Sequence, residues 1–81
     1  MKVKKVLAGL QKEYELEEIN IISPTKVIYS GTLTGWKATE VDMILYKKQV
    51  ENLEVLDRMM FNRRKVFLFV PDIGVYYPTK D

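Results

Sequence analysis

Cysteine and histidine are both missing from the 81 residues of this chain. Without cysteine there is no disulfide and no thiolate metal site, which suits a reducing, cytoplasmic setting. Without histidine the commonest general base and metal ligand is gone. Charge of one sign is scarce as well: 13 Lys and Arg face 11 Asp and Glu, a net +2. Each half of the chain, divided at residue 40, carries +1, so there is no basic arm and no acidic tail. Such a balance does not by itself argue for nucleic-acid or membrane binding. No apolar run approaches the roughly 20 residues of a membrane span. The N-terminal run breaks at Gln11-Lys12-Glu13, too early for a signal peptide. The expectation is a soluble cytoplasmic protein that needs no cofactor.

What is present is enough for one small core. Hydrophobic residues make up 47% of the chain, ordinary for a folded protein and against intrinsic disorder. Cores of this size supply only about 3–5 kcal/mol, so homo-oligomerisation is an expected further source of stability.

Val3, Val6, Leu7 and Leu10 stand at i, i+3, i+4 and i+7 and predict an N-terminal helix with one buried face. Glu13-Tyr14-Glu15-Leu16-Glu17-Glu18 is acidic but lacks the spacing of a calcium loop, and reads as a solvated connection into a strand. Ile19–Ile22 and Lys26–Thr32 read as a hairpin, with Ser23-Pro24-Thr25-Lys26 as its turn and Gly31 marking a bulge or a close approach. Thr39-Glu40-Val41-Asp42 fits a capping box, opening a helix with Val41, Ile44, Leu45 and Lys48 on one face.

That helix is expected to stop near Lys48, leaving 51–57 as a strand paired with Lys65–Val70 and Phe61-Asn62-Arg63-Arg64 as the connection. A helix continuing to Met60 through Val50, Leu53 and Leu56 is the alternative. Lys65-Val66-Phe67-Leu68-Phe69-Val70 is the most apolar stretch and predicts a central strand covered on both faces. After a turn at 71–74, Val75-Tyr76-Tyr77 is expected to add an edge strand. The fold class is therefore α+β: a small antiparallel sheet of four to five strands with an N-terminal helix and a short middle helix.

Enzymatic motifs are missing: no phosphate loop, nucleophile elbow or dinucleotide fingerprint occurs, and Asp42, Glu51, Glu54 and Asp57 have the spacing of ordinary surface charge. The chain is expected to be non-catalytic. The candidate ligand-binding residues are the cations Arg63, Arg64 and Lys65, suited to phosphate, with Trp36, Tyr76 and Tyr77 placed to stack a base. Arg63-Arg64-Lys65 also has a plainer reading, as charges guarding the start of a hydrophobic strand.

Ile28-Tyr29-Ser30-Gly31, then Val50-Glu51-Asn52-Leu53-Glu54-Val55, then Val66-Phe67-Leu68-Phe69-Val70 form a layout similar to small accessory proteins encoded by phages and prophages of Gram-positive bacteria. The resemblance spans Ile19 to Val70. It implies a counter-defence role, in which the protein masks a host immune protein or sequesters a nucleotide second messenger. It assigns no site residues. Two other expectations stand beside it: a nucleic-acid-binding module using the same cations, and an assembly subunit with Met59-Met60-Phe61 as an adaptable apolar contact.

Overall fold

The computed structural model describes residues 1–13, 15–32, 38–56 and 58–72. In chain order they form α1 (Val3–Glu13), β1 (Glu18–Ile22), β2 (Val27–Thr32), α2 (Ala38–Lys48), β3 (Met59–Asn62) and β4 (Lys65–Phe69). The α+β class holds, with an N-terminal helix, a short middle helix and four strands.

The helix α1 buries the four residues that its periodicity singles out, Val3, Val6, Leu7 and Leu10. Its first N–H groups have no partner within the helix. The N–H of Val3 donates to the Leu53 carbonyl (3.0 Å) and that of Lys4 to the Glu51 carbonyl (3.2 Å). The same segment donates a bond in return, from the N–H of Val55 to the Met1 carbonyl at 2.7 Å.

This capping overturns the expected strand over 51–57. Residues 51–56 form no strand of the sheet, and Asp57 lies outside the described residues. Part of their backbone satisfies α1 instead, with Val50 and Leu53 as buried anchors. The strand that pairs with β4 is Met59–Asn62, so the expected four-residue connection contracts to Arg63-Arg64.

The helix α2 ends where expected, at Lys48. Gln49 takes a left-handed conformation (φ 56°), its N–H donates to the Tyr46 carbonyl and that of Val50 to the Leu45 carbonyl, both at 3.1 Å. This is a Schellman termination, sealed by the buried pair Leu45 and Val50. At the other end α2 begins at Ala38, so Thr39 lies inside the first turn and is not the capping residue.

The strand order is β2-β1-β4-β3. Both hairpins, β1–β2 and β3–β4, are antiparallel, but the central pair β1–β4 is parallel, in register from Glu18↔Lys65 to Ile22↔Phe69. The sheet is therefore mixed, which corrects the wholly antiparallel expectation. Two hairpins lie side by side with their inner strands pointing the same way.

One face of this sheet carries Ile19, Ile21, Val66, Leu68 and Val70 and packs in a single core with Val3, Leu7, Val41 and Leu45 of the helices. Burial along β4 alternates although its hydrophobicity does not: Val66, Leu68 and Val70 are fully enclosed, whereas Phe67 and Phe69 are half-buried on the other face. The expectation of full cover on both faces is corrected, because the buried faces of both helices join one core on one side.

Gly31 is a close approach. A Cβ there would lie 2.8 Å from Cζ of Tyr29, whose ring crosses it. The bulge is elsewhere: Ile21 faces Tyr29 and Ile22 faces Val27, which leaves Ile28 as the extra residue.

Candidate functional site

Two surface regions carry features beyond packing: the tip of the β3–β4 hairpin and the outer edge formed by β3.

At the tip, Asn62 faces Lys65, so Arg63 and Arg64 are a two-residue turn. Arg63 has φ 60°, the positive value that the first central position of a type II′ turn requires and that glycine adopts more easily. The turn packs beside the segment that leads into β1, whose Glu17 and Glu18 N–H groups donate to the Arg64 carbonyl at 2.8 and 3.3 Å.

This contact brings the acidic run onto the basic one. Arg64 donates through Nη1 to Oε1 of Glu17 at 3.3 Å, and its Nη2 lies 3.8 Å from Oε2 of Glu15. Lys65 Nζ lies 3.8 Å from Oε1 of Glu18. The second Glu18 oxygen accepts from Nδ2 of Asn20 at 3.0 Å.

Asn20, buried on the open face of the sheet, also donates to the Val66 carbonyl (3.4 Å) and accepts from the Ser30 hydroxyl (2.6 Å). The orientation of Glu18 is thus fixed by a buried amide, as burial of a polar group demands.

A cleft of about 370 Å³ opens here, lined by Glu17, Glu18, Thr32, Arg63, Arg64 and Lys65. Its charges nearly cancel: with Glu15, three carboxylates stand against three cations, and only Arg63 has no ion partner among the described residues. The predicted cations are therefore together, but two of them are matched from within the chain. Trp36, Tyr76 and Tyr77, the proposed stacking residues, lie outside the described residues, as does the expected edge strand at 75–77.

The second region is apolar. All four residues of β3 are exposed, although three of them are Met59, Met60 and Phe61. Cross-strand neighbours show how abruptly cover ends: Leu68 is 0% exposed and Met59, directly opposite, 42%.

Beside Met59 a groove of about 340 Å³ is lined by Met1, Val6, Val55, Leu56, Arg58 and Met59. The Arg58 guanidinium stands 4.6 Å from the centre of the Phe69 ring on the other face of the sheet. Glu54, near this groove, is held by the Met1 ammonium at 3.2 Å and by Lys2 Nζ at 3.6 Å. The ammonium's hydrogen bond and charge, with Lys2 behind them, hold the Glu54 carboxyl below the usual carboxylate range.

Sequence reasoning placed Met59-Met60-Phe61 among contact surfaces but missed the groove. Its walls come from the chain start, from α1, from Val55, Leu56 and Arg58, and from β3, which no local pattern joins. Among the described residues no cluster of carboxylates has the arrangement of a metal site. None of the described helices is long and apolar enough to cross a membrane. No protein-family model matches the chain, nor does any curated protein or solved structure.

Proposed function

We propose that this chain is a non-catalytic binding protein that acts by masking another protein. The phage resemblance implies the setting, with a host immune effector as the masked partner in the bacterial cytoplasm. The observation that carries this reading is the apolar edge. Met59, Met60, Phe61 and Leu56 are all exposed along one border of the fold. Exposed apolar side chains at a sheet edge, with polar residues around them, are characteristic of protein-contact sites.

Sequestration of a nucleotide messenger is the second reading, supported by Arg63 and the cleft beside it. It is less favoured because a phosphate entering that cleft meets Glu17 and Glu18 as well as cations. It would have to displace the carboxylates from Arg64 and Lys65 before pairing with them.

The test is a plating assay in bacteria whose immune system blocks a sensitive phage. Expression of the protein is expected to restore plaques. Met59→Glu is expected to abolish the rescue, while the double variant Arg63→Ala, Arg64→Ala retains it. The reverse pattern, together with thermal stabilisation by cyclic or ADP-ribose-type nucleotides, would replace masking by sequestration.

A further inference from the structure

We infer that the open face of the sheet, turned away from the helices, binds single-stranded nucleic acid, with bases on Phe67 and Phe69 and phosphates on Arg58 and Arg63. This goes beyond the masking reading and does not rest on it.

Cross-strand partners share a face, so the pairings define what this side presents. Its middle row is Ser30, Asn20, Phe67 and Met60, across β2, β1, β4 and β3. Toward the hairpin tip stand Thr32, Glu18, Lys65 and Asn62, and toward the other end Val27, Ile22 and Phe69. Phe67 and Phe69 are thus two residues apart on a central strand, about 6.6 Å. Both are partly open to solvent. Aromatic rings so placed on a four-stranded sheet stack successive bases in RNA recognition.

The polar groups beside the rings suit base edges. Both amide protons of Asn20 are spent on Glu18 and the Val66 carbonyl, and the Ser30 hydroxyl proton on Asn20 Oδ1. What faces solvent is the oxygen of the exposed Ser30, an acceptor for the N–H groups that bases carry. A protein laid flat on this face would bury that acceptor in the middle of the contact.

Cations without a carboxylate stand at the two ends. Beside Phe69, the exposed Arg58 has its guanidinium 4.6 Å from the ring centre and no ion partner among the described residues. Such a group gives a base a plane to stack on and a phosphate its N–H donors. At the other end, Arg63 lines the tip cleft with Glu18, Thr32 and Lys65 of this face. The neighbouring carboxylates are already held: Glu18 by Asn20 and Lys65, Glu17 by Arg64, and Asp72 by the Thr25 hydroxyl.

The probes are fluorescein-labelled oligo(dT) and oligo(rU) of about 12 nucleotides, with a dA·dT duplex of the same length as control. Each is titrated with the full-length protein and followed by anisotropy. Both single strands are expected to bind, and the duplex, whose base faces are stacked inside, at least about tenfold more weakly. Raising salt from about 50 to about 200 mM is expected to weaken binding about sevenfold, the effect of two phosphate contacts on a single strand. Phe67→Leu keeps apolar bulk but removes the ring, and is expected to weaken binding about fivefold or more. Arg58→Gln, at an exposed position that the fold does not need, is expected to weaken binding and flatten its salt dependence by about one phosphate contact. Lys47→Gln removes the same charge from α2, behind the sheet, and is expected to leave binding within about twofold. Amide shifts of isotope-labelled protein are expected at Asn20, Ser30, Phe67 and Phe69.

Equal binding of duplex and single strands, full binding by Phe67→Leu, or a Lys47→Gln loss matching that of Arg58→Gln would overturn the inference. So would shifts confined to the helices, or no anisotropy change at about 100 μM protein in low salt. Phe67-dependent dimerisation in light scattering, or Arg58-dependent sedimentation with phosphatidylglycerol vesicles, would overturn it in favour of a second copy or a bilayer.

Discussion

The hairpin tip and the edge of β3 lie a few residues apart and have opposite fates. At the tip, two of the three most conspicuous cations in the sequence, Arg64 and Lys65, are answered by carboxylates from Glu15 to Glu18. Along the edge, an inconspicuous Met-Met-Phe run is left uncovered. The difference teaches that exposure, not residue type, separates a surface available to a partner from one the fold has already used. Arg64, which looks free in one dimension, is paired, and methionines that look like core are outside it.

The largest test of this contrast compares Leu68 with Met59, which face each other across β3 and β4. Leu68→Ala removes a fully enclosed side chain and should cost about 2–5 kcal/mol. Met59→Ala should cost under about 1 kcal/mol, because its site is open to water. Urea denaturation of both variants measures the pair; equal losses would mean that β3 is covered and the comparison false.

At the tip the effects are smaller and of opposite sign. Arg63→Gly is expected to stabilise the protein by about 1 kcal/mol, since glycine takes the positive φ of Arg63 without strain. Arg64→Ala should cost at most about 1 kcal/mol, as its ion pairs are exposed, and the loss should shrink in high salt. A salt-independent loss would show that Arg64 works through packing.

The smallest effect concerns Glu54 beside the groove. Its carboxyl sits below the ordinary range because the Met1 ammonium hydrogen-bonds to it and attracts it, so the ionised form favours the fold. That contribution is complete above the unfolded-state value and disappears as pH falls through the depressed one. Glu54→Gln should therefore melt slightly lower than the parent at neutral pH and at the same temperature in strong acid. A difference that persists in acid would place the effect of Glu54 outside its charge.

Much of the fold was legible in the residues, and the reasons are local. The face of α1 follows from spacing alone. The stop at Lys48 was expected too, and the left-handed Gln49 supplies its geometry. The turn after β1 is closed by Ser23 and Lys26: the Ser23 hydroxyl donates to the Lys26 carbonyl at 3.1 Å. The candidate site was legible only in part. The cations at 63–65 do come together, but nothing in their neighbourhood of the sequence announced Glu15, Glu17 and Glu18 as partners.

By itself, then, the sequence determined one small α+β core, the buried stripe of α1, the central place of the strand at 65–69 and the absence of thiol and imidazole chemistry. These depend on composition and on contacts within a few residues. The tertiary structure decided the rest: the parallel pairing of β1 with β4, the use of 51–55 to cap α1, the neutralised hairpin tip and the uncovered edge. Each depends on which distant backbone group or charge arrives nearby, as when Arg64 meets Glu17 across 47 positions. Such partners are chosen by how the core packs, and periodicity along the chain does not encode them.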